Sequence, residues 1–171
     1  MARSRPPRSR SQEEPPEHGL LRSVVNGALG GTLATVVMTA YRMPVASSLP
    51  PTAEFWAQYV ADGDADDHPI PALVLHLVYG AGAGSAFGVL FRPVDRRIES
   101  DEARETAGVV LGALYALTLS VFGERVVLGE LLDVDLDGSE SLVFHVGHLV
   151  FGLSLGSWVA SRSTFEDLEL R

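Results

Sequence analysis

Three histidines set inside apolar sequence are the residues most able to do chemistry in this chain: His76, His145 and His148. An imidazole is neutral or cationic near physiological pH, and it ligates metals through either ring nitrogen. His145 and His148 are three positions apart, so on a helix they share one side and can chelate or flank one centre. Glu124, Arg125 and Arg42 complete a candidate polar site of six ionisable residues. Three chemistries fit this set. The histidines can bind a metal or haem, they can relay protons or ions, or they can hydrogen-bond between helices and hold them in register. In the last case Glu124 would pair with Arg125 or Arg42. No cofactor is predicted, and a metal or haem stays as the minor alternative.

A second cluster is the run Asp133-Val-Asp135-Leu-Asp137-Gly138-Ser-Glu140. Alternating carboxylates followed by glycine begin like a calcium loop, whose twelfth position should be a bidentate glutamate. Here that position is Phe144. Asp133, Asp135 and Asp137 are therefore weak metal candidates, and an acidic turn is the simpler reading. The chain has no cysteine, which removes disulfides and thiolate chemistry. No phosphate-binding loop, nucleophile elbow, zinc-protease motif or dinucleotide fingerprint occurs. These absences predict a protein without enzymatic activity.

The elements that must position these residues are four apolar segments, at 20–41, 70–91, 106–128 and 141–160, within a 171-residue chain. Each approaches the ~20 residues that a helix needs to cross the ~30 Å hydrocarbon core of a bilayer. Backbone groups in lipid must bond internally, so such segments are helices. A water-soluble bundle would carry a polar stripe along each helix. Residues 109–122 offer only Thr118 and Ser120 besides Tyr115. The first segment is long for a signal peptide and is retained as a span. Residues 1–19, rich in Arg, Ser, Pro and Glu, predict a disordered tail, and 162–171 a second tail, leaving 20–161 as one membrane domain. The loop that begins Pro51, Thr52 and Glu54 predicts a short interfacial or re-entrant helix, with Phe55, Trp56, Tyr59 and Val60 on one face.

Arginine gives the orientation. Arg3, Arg5, Arg8, Arg10 and Arg22 precede the first span, Arg92, Arg96, Arg97 and Arg104 lie between the second and third, and Arg162 and Arg171 follow the fourth. Only Arg42 and Arg125 fall on the opposite side. The excess of positive charge on the inner side puts both termini in the cytoplasm of a multi-pass cell-membrane protein. All thirteen basic residues are arginine, and the net charge is −9. An acidic, lysine-free composition suits a halophile, although a GC-rich genome also favours arginine. It argues against a nucleic-acid partner.

A repeat links the second and fourth spans. The run from His76 to Ser85 matches the run from His148 to Ser157 at six of ten positions, and Gly27-x-x-x-Gly31 matches Gly108-x-x-x-Gly112 more loosely. Two pseudo-repeated helical hairpins, related by an axis along the membrane normal, follow from this. Gly80, Gly84, Gly152 and Gly156 complete four small-xxx-small pairs, which let helices approach closely in lipid. At ~100° per residue the histidines share the glycine faces, and so do Met38 and Arg42 on the first span. His76, His145 and His148 should lie ~6–10 Å below the outer boundary at ~1.5 Å per residue.

The His-Leu-Val-Tyr/Phe-Gly-x-x-x-Gly elements resemble those of a family of uncharacterised four-helix integral membrane proteins, in its haloarchaeal form, across residues 20–161. The resemblance implies an all-α bundle of four transmembrane helices and carries no activity onto any residue. His145 departs from the pattern. The expectation is a structural or ligand-binding membrane protein whose partners are the lipid bilayer and either a second copy or a membrane complex. A small transporter or channel subunit is the alternative, and a His-ligated metal or haem module is third.

Overall fold

The computed structural model describes residues 16–45 and 49–169, with side chains from 19 to 45 and from 49 to 161. Most of the expected tail at 1–19, and the side chains of 162–171, lie outside these. The described residues are all helical or loop. Helix α1 spans Pro16–Arg42, α2 Thr52–Tyr59, α3 Pro69–Asp95, α4 Asp101–Phe122 and α5 Gly138–Glu169. A π-helix, Gly123–Leu131, continues α4 without a break, and a single 3-10 turn, Ala65–Asp67, precedes α3.

The helix starts follow local chemistry. Ser100 caps α4 by accepting from the Ala103 amide at 3.2 Å, with Asp101 and Glu102 in the first turn. Pro69 and Pro71 occupy the first turn of α3, where a missing N–H costs nothing. Asp137 and Glu140 form a reciprocal box at the head of α5. The Asp137 carboxylate accepts from the Ser139 and Glu140 amides at 2.7 and 2.9 Å, and Glu140 accepts from the Asp137 amide at 3.1 Å. Inside the helices, Thr32, Thr35 and Thr39 return their hydroxyl protons to carbonyls one turn back. Two boundaries differ from expectation. The third apolar segment is helical from Asp101, because Ser100 supplies a cap upstream of the apolar run. Helix α5 runs to Glu169 through residues expected to be a tail.

Helix α1 packs on α3, α4 packs on α5, and the two pairs join mainly through α1 and α5. Both intra-pair seams are glycine against glycine. A methyl group placed on Gly31 would sit 2.8 Å from Gly84 Cα, and one on Gly112 would sit 3.0 Å from Gly156 Cα. Both distances are below any ordinary carbon–carbon contact, so backbone lies on backbone and only glycine fits. Gly27 and Gly80 extend the first seam, and Gly108 and Gly152 the second. The α1–α5 contact is different. Leu155 and Trp158 pack over Gly30, and the Trp158 indole N–H donates to Asn26 Oδ1 at 3.2 Å. Tyr115 closes the side between α4 and α3, donating to the Ala83 carbonyl at 2.9 Å and packing its ring on Phe87.

What faces outward bears on how the bundle is solvated. Leu21, Val25, Leu29, Leu33 and Val36 line the exposed side of α1, and Val110, Leu114, Leu117 and Val121 that of α4. Only 22 to 44% of the most apolar stretch of each long helix is buried within the protein. A soluble bundle hides its large apolar side chains and shows polar ones. Here glycines fill the seams and many large apolar side chains lie outside, on four helices long and apolar enough to cross a membrane.

Candidate ligand pocket

One end of the bundle, where α1 finishes and α3 and α5 begin, carries the polar residues. Helix α2 lies across it as a strap. Thr52 Oγ1 donates to the Ala72 carbonyl of α3 at 2.7 Å, and the Tyr59 hydroxyl donates to the Leu131 carbonyl at the end of the π-helix at 2.9 Å. Ala53 is buried, and Phe55 packs against Leu128, Leu132 and Phe144. Helix α2 therefore bridges the two hairpins at this end, and Val60, expected on its apolar face, lies just past its last residue.

Under this strap is a cavity of about 300 Å³. Its walls are apolar, with Phe55, Leu75, Val127 and Phe144 among them, and its polar side chains are His76, His148, Thr52 and Tyr79. The Thr52 proton is already committed to Ala72. Of its lining residues, Tyr79 and Leu131 are the exposed ones. His76 is only 7% exposed, and its Nε2 has no hydrogen-bond partner among the described residues. A buried ring nitrogen without a partner is costly and calls for an explanation. His148 is held in a defined orientation. Its Nδ1–H donates to the Phe144 carbonyl at 2.9 Å, and its ring lies 4.4 Å from the Phe144 ring, centroid to centroid. Because a carbonyl only accepts, Nδ1 carries the proton, and in the neutral ring Nε2 keeps its lone pair. The two histidines that head the repeated decapeptide thus line the same cavity.

His145 belongs elsewhere. Its Nε2 lies 2.8 Å from Glu124 Oε2 and its Nδ1 lies 2.9 Å from Ser120 Oγ. Ser120 is fully buried and also within 2.9 Å of the Leu117 carbonyl. The hydroxyl has one proton, which goes either to Leu117 or to His145. If it goes to His145 Nδ1, the neutral ring donates through Nε2–H to the Glu124 carboxylate; if it goes to Leu117, His145 donates through Nδ1–H to Ser120, and only the doubly protonated ring also donates to Glu124. This chain ties α5 to the junction of α4 and the π-helix. Both nitrogens of His145 are engaged in this chain, and His145 is not among the residues that line the cavity with His148. Glu124 pairs with His145 rather than with Arg125 or Arg42.

The two arginines also separate. Arg125 is exposed on the outer flank beside Leu117, Val121 and Val126. Arg42 ends α1 with its stem against Gly147 of α5. Its Nε is buried without a partner among the described residues. Arg42 lines a second cavity of about 600 Å³, also bordered by Glu54, Asp135, Asp137 and Glu140. Pro51, Leu128 and Phe144 are shared walls, so the polar cavity and the apolar one adjoin.

The acidic run does not close around an ion. Asp133 adopts a left-handed backbone with φ 53°, and the Asp137 carboxylate is used as the cap of α5. Hydrogen bonds from the Ser139 side chain and from the backbone at Glu140 and Ser139 hold the Asp137 carboxyl below its ordinary value of 3.8. Among the described residues no three His, Asp or Glu side chains are grouped to hold a metal.

Sequence reasoning missed much of the pocket: Thr52, Phe55, Tyr79, Val127, Leu131 and Phe144. Phe144 had one usable signal, since it stands one helical turn before His148. The others depend on where α2 lands and on the π-helical register. The fold and site define an all-helical bundle of membrane-length helices with a small apolar cavity near one end. Comparison with family models, curated proteins and solved structures finds no match.

Proposed function

We propose that this chain is a multi-pass cell-membrane protein, with both termini in the cytoplasm, that binds a small apolar ligand from the outer leaflet and carries out no reaction on it. The observation that carries the reading is the cavity under α2, apolar in its walls and lined by His76 and His148. Pockets of this kind, with a few convergent polar groups, are the usual form of a small-molecule site. The arginine distribution supports the orientation, and with that orientation the cavity would lie near the outer boundary. The acidic, lysine-free composition supports a halophilic habitat, and the paired glycine seams support two duplicated hairpins.

Two measurements test this reading. The chain has no cysteine, so single cysteines introduced at Ser48 and Ile98 report sidedness without background. The expected result is labelling by an impermeant thiol reagent from outside at position 48 and only after lysis at position 98. Purified protein in lipid nanodiscs should also bind decylbenzene saturably, at one site per chain. Recovery of the chain in the soluble fraction would overturn the membrane assignment. Purely partition-like uptake of decylbenzene would overturn the ligand-binding one.

A further inference from the structure

The flank of α4 and the π-helix carries a groove separate from the cavity under α2. Leu114, Leu117, Val121, Phe122 and Val126 line it, with Arg125 beside them, and its volume is about 550 Å³. All six residues are exposed, so the groove lies on the outer surface of the bundle. They recur at helical spacing, which makes one continuous stripe along the flank. Thr118 also borders the stripe, but its hydroxyl proton goes to the Leu114 carbonyl at 2.9 Å. At ~1.5 Å per residue the stripe from Leu114 to Arg125 is roughly 16 Å long. That is close to half of the ~30 Å hydrocarbon core, the depth of one leaflet.

Arg125 ends this apolar stripe and has no hydrogen bond or ion pair among the described residues. Its neighbour Glu124 is bound to His145, and Glu130 of the same π-helix is exposed without bonding it. A cation on a membrane-length helix is costly and normally finds a partner. Here the partner must come from outside the chain. The planar guanidinium fork matches the oxygens of a phosphate. Arg42, the other arginine at this end, lines the polar cavity instead. The loops at this end are acidic, with Asp62, Asp64, Asp66 and Asp67 before α3 and Asp133 and Asp135 before α5. They disfavour a highly charged anion and leave Arg125 as the exposed point of attraction for a singly charged one.

We propose that this groove binds a phospholipid, one acyl chain lying along Leu114, Leu117, Val121 and Phe122 and the singly charged phosphodiester on the Arg125 guanidinium. This site rests on the membrane assignment above and is independent of the ligand under α2.

The test uses the full chain in dodecyl maltoside, which carries no phosphate. The probe is a phosphatidylglycerol with a photoactivatable diazirine on one acyl chain, and cross-links are mapped by peptide mass spectrometry. They should concentrate on the groove residues and saturate at one lipid per chain there. Unlabelled dioleoylphosphatidylglycerol should displace the probe from these residues at about three- to tenfold lower concentration than dioleoylglycerol, the worth of one arginine near a charged lipid surface. Arg125→Gln should remove that difference, and Arg125→Lys should keep part of it, because the charge remains without the fork. Leu117→Trp, which fills the groove, should weaken both lipids. If Arg125→Gln fails to fold, the two-lipid comparison on the unmodified chain decides alone. Even labelling of the exposed faces of all four spans overturns the proposal and leaves the membrane assignment standing. So does equal displacement by the two lipids, a preference that survives Arg125→Gln, or displacement by inorganic phosphate as effective as that by the lipid. Recovery of the chain in the soluble fraction overturns the membrane assignment and this site with it.

Discussion

His145, Glu124 and Ser120 form the most densely bonded polar group within the spans, and their worth can be measured. Interhelical polar contacts in membrane proteins average about 0.6 kcal/mol and reach about 1.7. A double-mutant cycle with His145→Ala and Glu124→Gln, read by thermal unfolding in detergent, should give a coupling within that range. A coupling indistinguishable from zero would mean the pair contributes nothing to stability. Asp137 makes a prediction in pH. Its folded value lies below the ordinary one because the folded state bonds the ionised carboxylate. The stability it adds is therefore complete above about 3.8, and it disappears as pH falls through the lower folded value. Amide exchange at Ser139 and Glu140 should stay slow down to a pH at which unbonded carboxylates are already protonated. Asp137→Ala should accelerate exchange at both amides at neutral pH, and Asp137→Asn should restore part of the protection, because its amide oxygen still accepts.

At the scale of elements, the glycine seams separate contact from propensity. Gly31→Ala introduces a methyl group where the Gly84 backbone already lies, and it should destabilise the chain by about 1–3 kcal/mol as the helices are forced apart. Gly82 sits in the same small-residue run of α3, but a methyl there meets nothing within 4 Å. Gly82→Ala should be neutral or stabilising by up to about 1 kcal/mol through helix propensity alone. Equal losses from both substitutions in thermal or denaturant unfolding would refute the seam as the cause. The helices themselves were legible in the sequence, because length and apolarity suffice to place a membrane-length helix. The π-helix was not. No residue type in it distinguishes a π winding from an α one, whereas the separation of Glu124, turned to His145, from exposed Arg125 follows from the ~100° between neighbours on a helix. The short helix at Thr52–Tyr59 was legible as an element. Its landing place on Ala72 and Leu131 was not, because no local pattern encodes a hydrogen bond to a distant carbonyl.

For the molecule as a whole, the outward apolar surface makes an opposite prediction for lipid and for water. Leu29→Asp puts a carboxylate near the middle of the exposed face of α1. In a bilayer it should cost about 2.5–3.5 kcal/mol of insertion free energy and lower the inserted fraction. For a soluble bundle the same change would raise solubility. Assay of membrane-integrated protein after translation with microsomes distinguishes the two outcomes. The net charge of −9 adds a dependence on salt. Charges screen one another over about 10 Å at 0.1 M ionic strength and about 3 Å at 1 M. The midpoint of thermal unfolding should rise between those two conditions, and it should rise less when Asp62, Asp64, Asp66 and Asp67 are replaced by asparagine. Of the candidate site, the sequence revealed that polar residues gather toward one end. It did not reveal their sorting into a histidine-lined cavity, an ion-paired chain and a stray arginine, because that sorting is decided by which face each helix turns to its neighbours.

Where Gly31 meets Gly84, and Gly112 meets Gly156, both partners are already the smallest residue the genetic code offers. An ordinary core can answer an enlarged side chain by shrinking the one opposite it. These seams have no such second move, since there is nothing left to trim. Drift at these positions should therefore be one-way and unrescued, and a screen for suppressors of Gly31→Ala should return changes that reposition a whole helix rather than substitutions at Gly84.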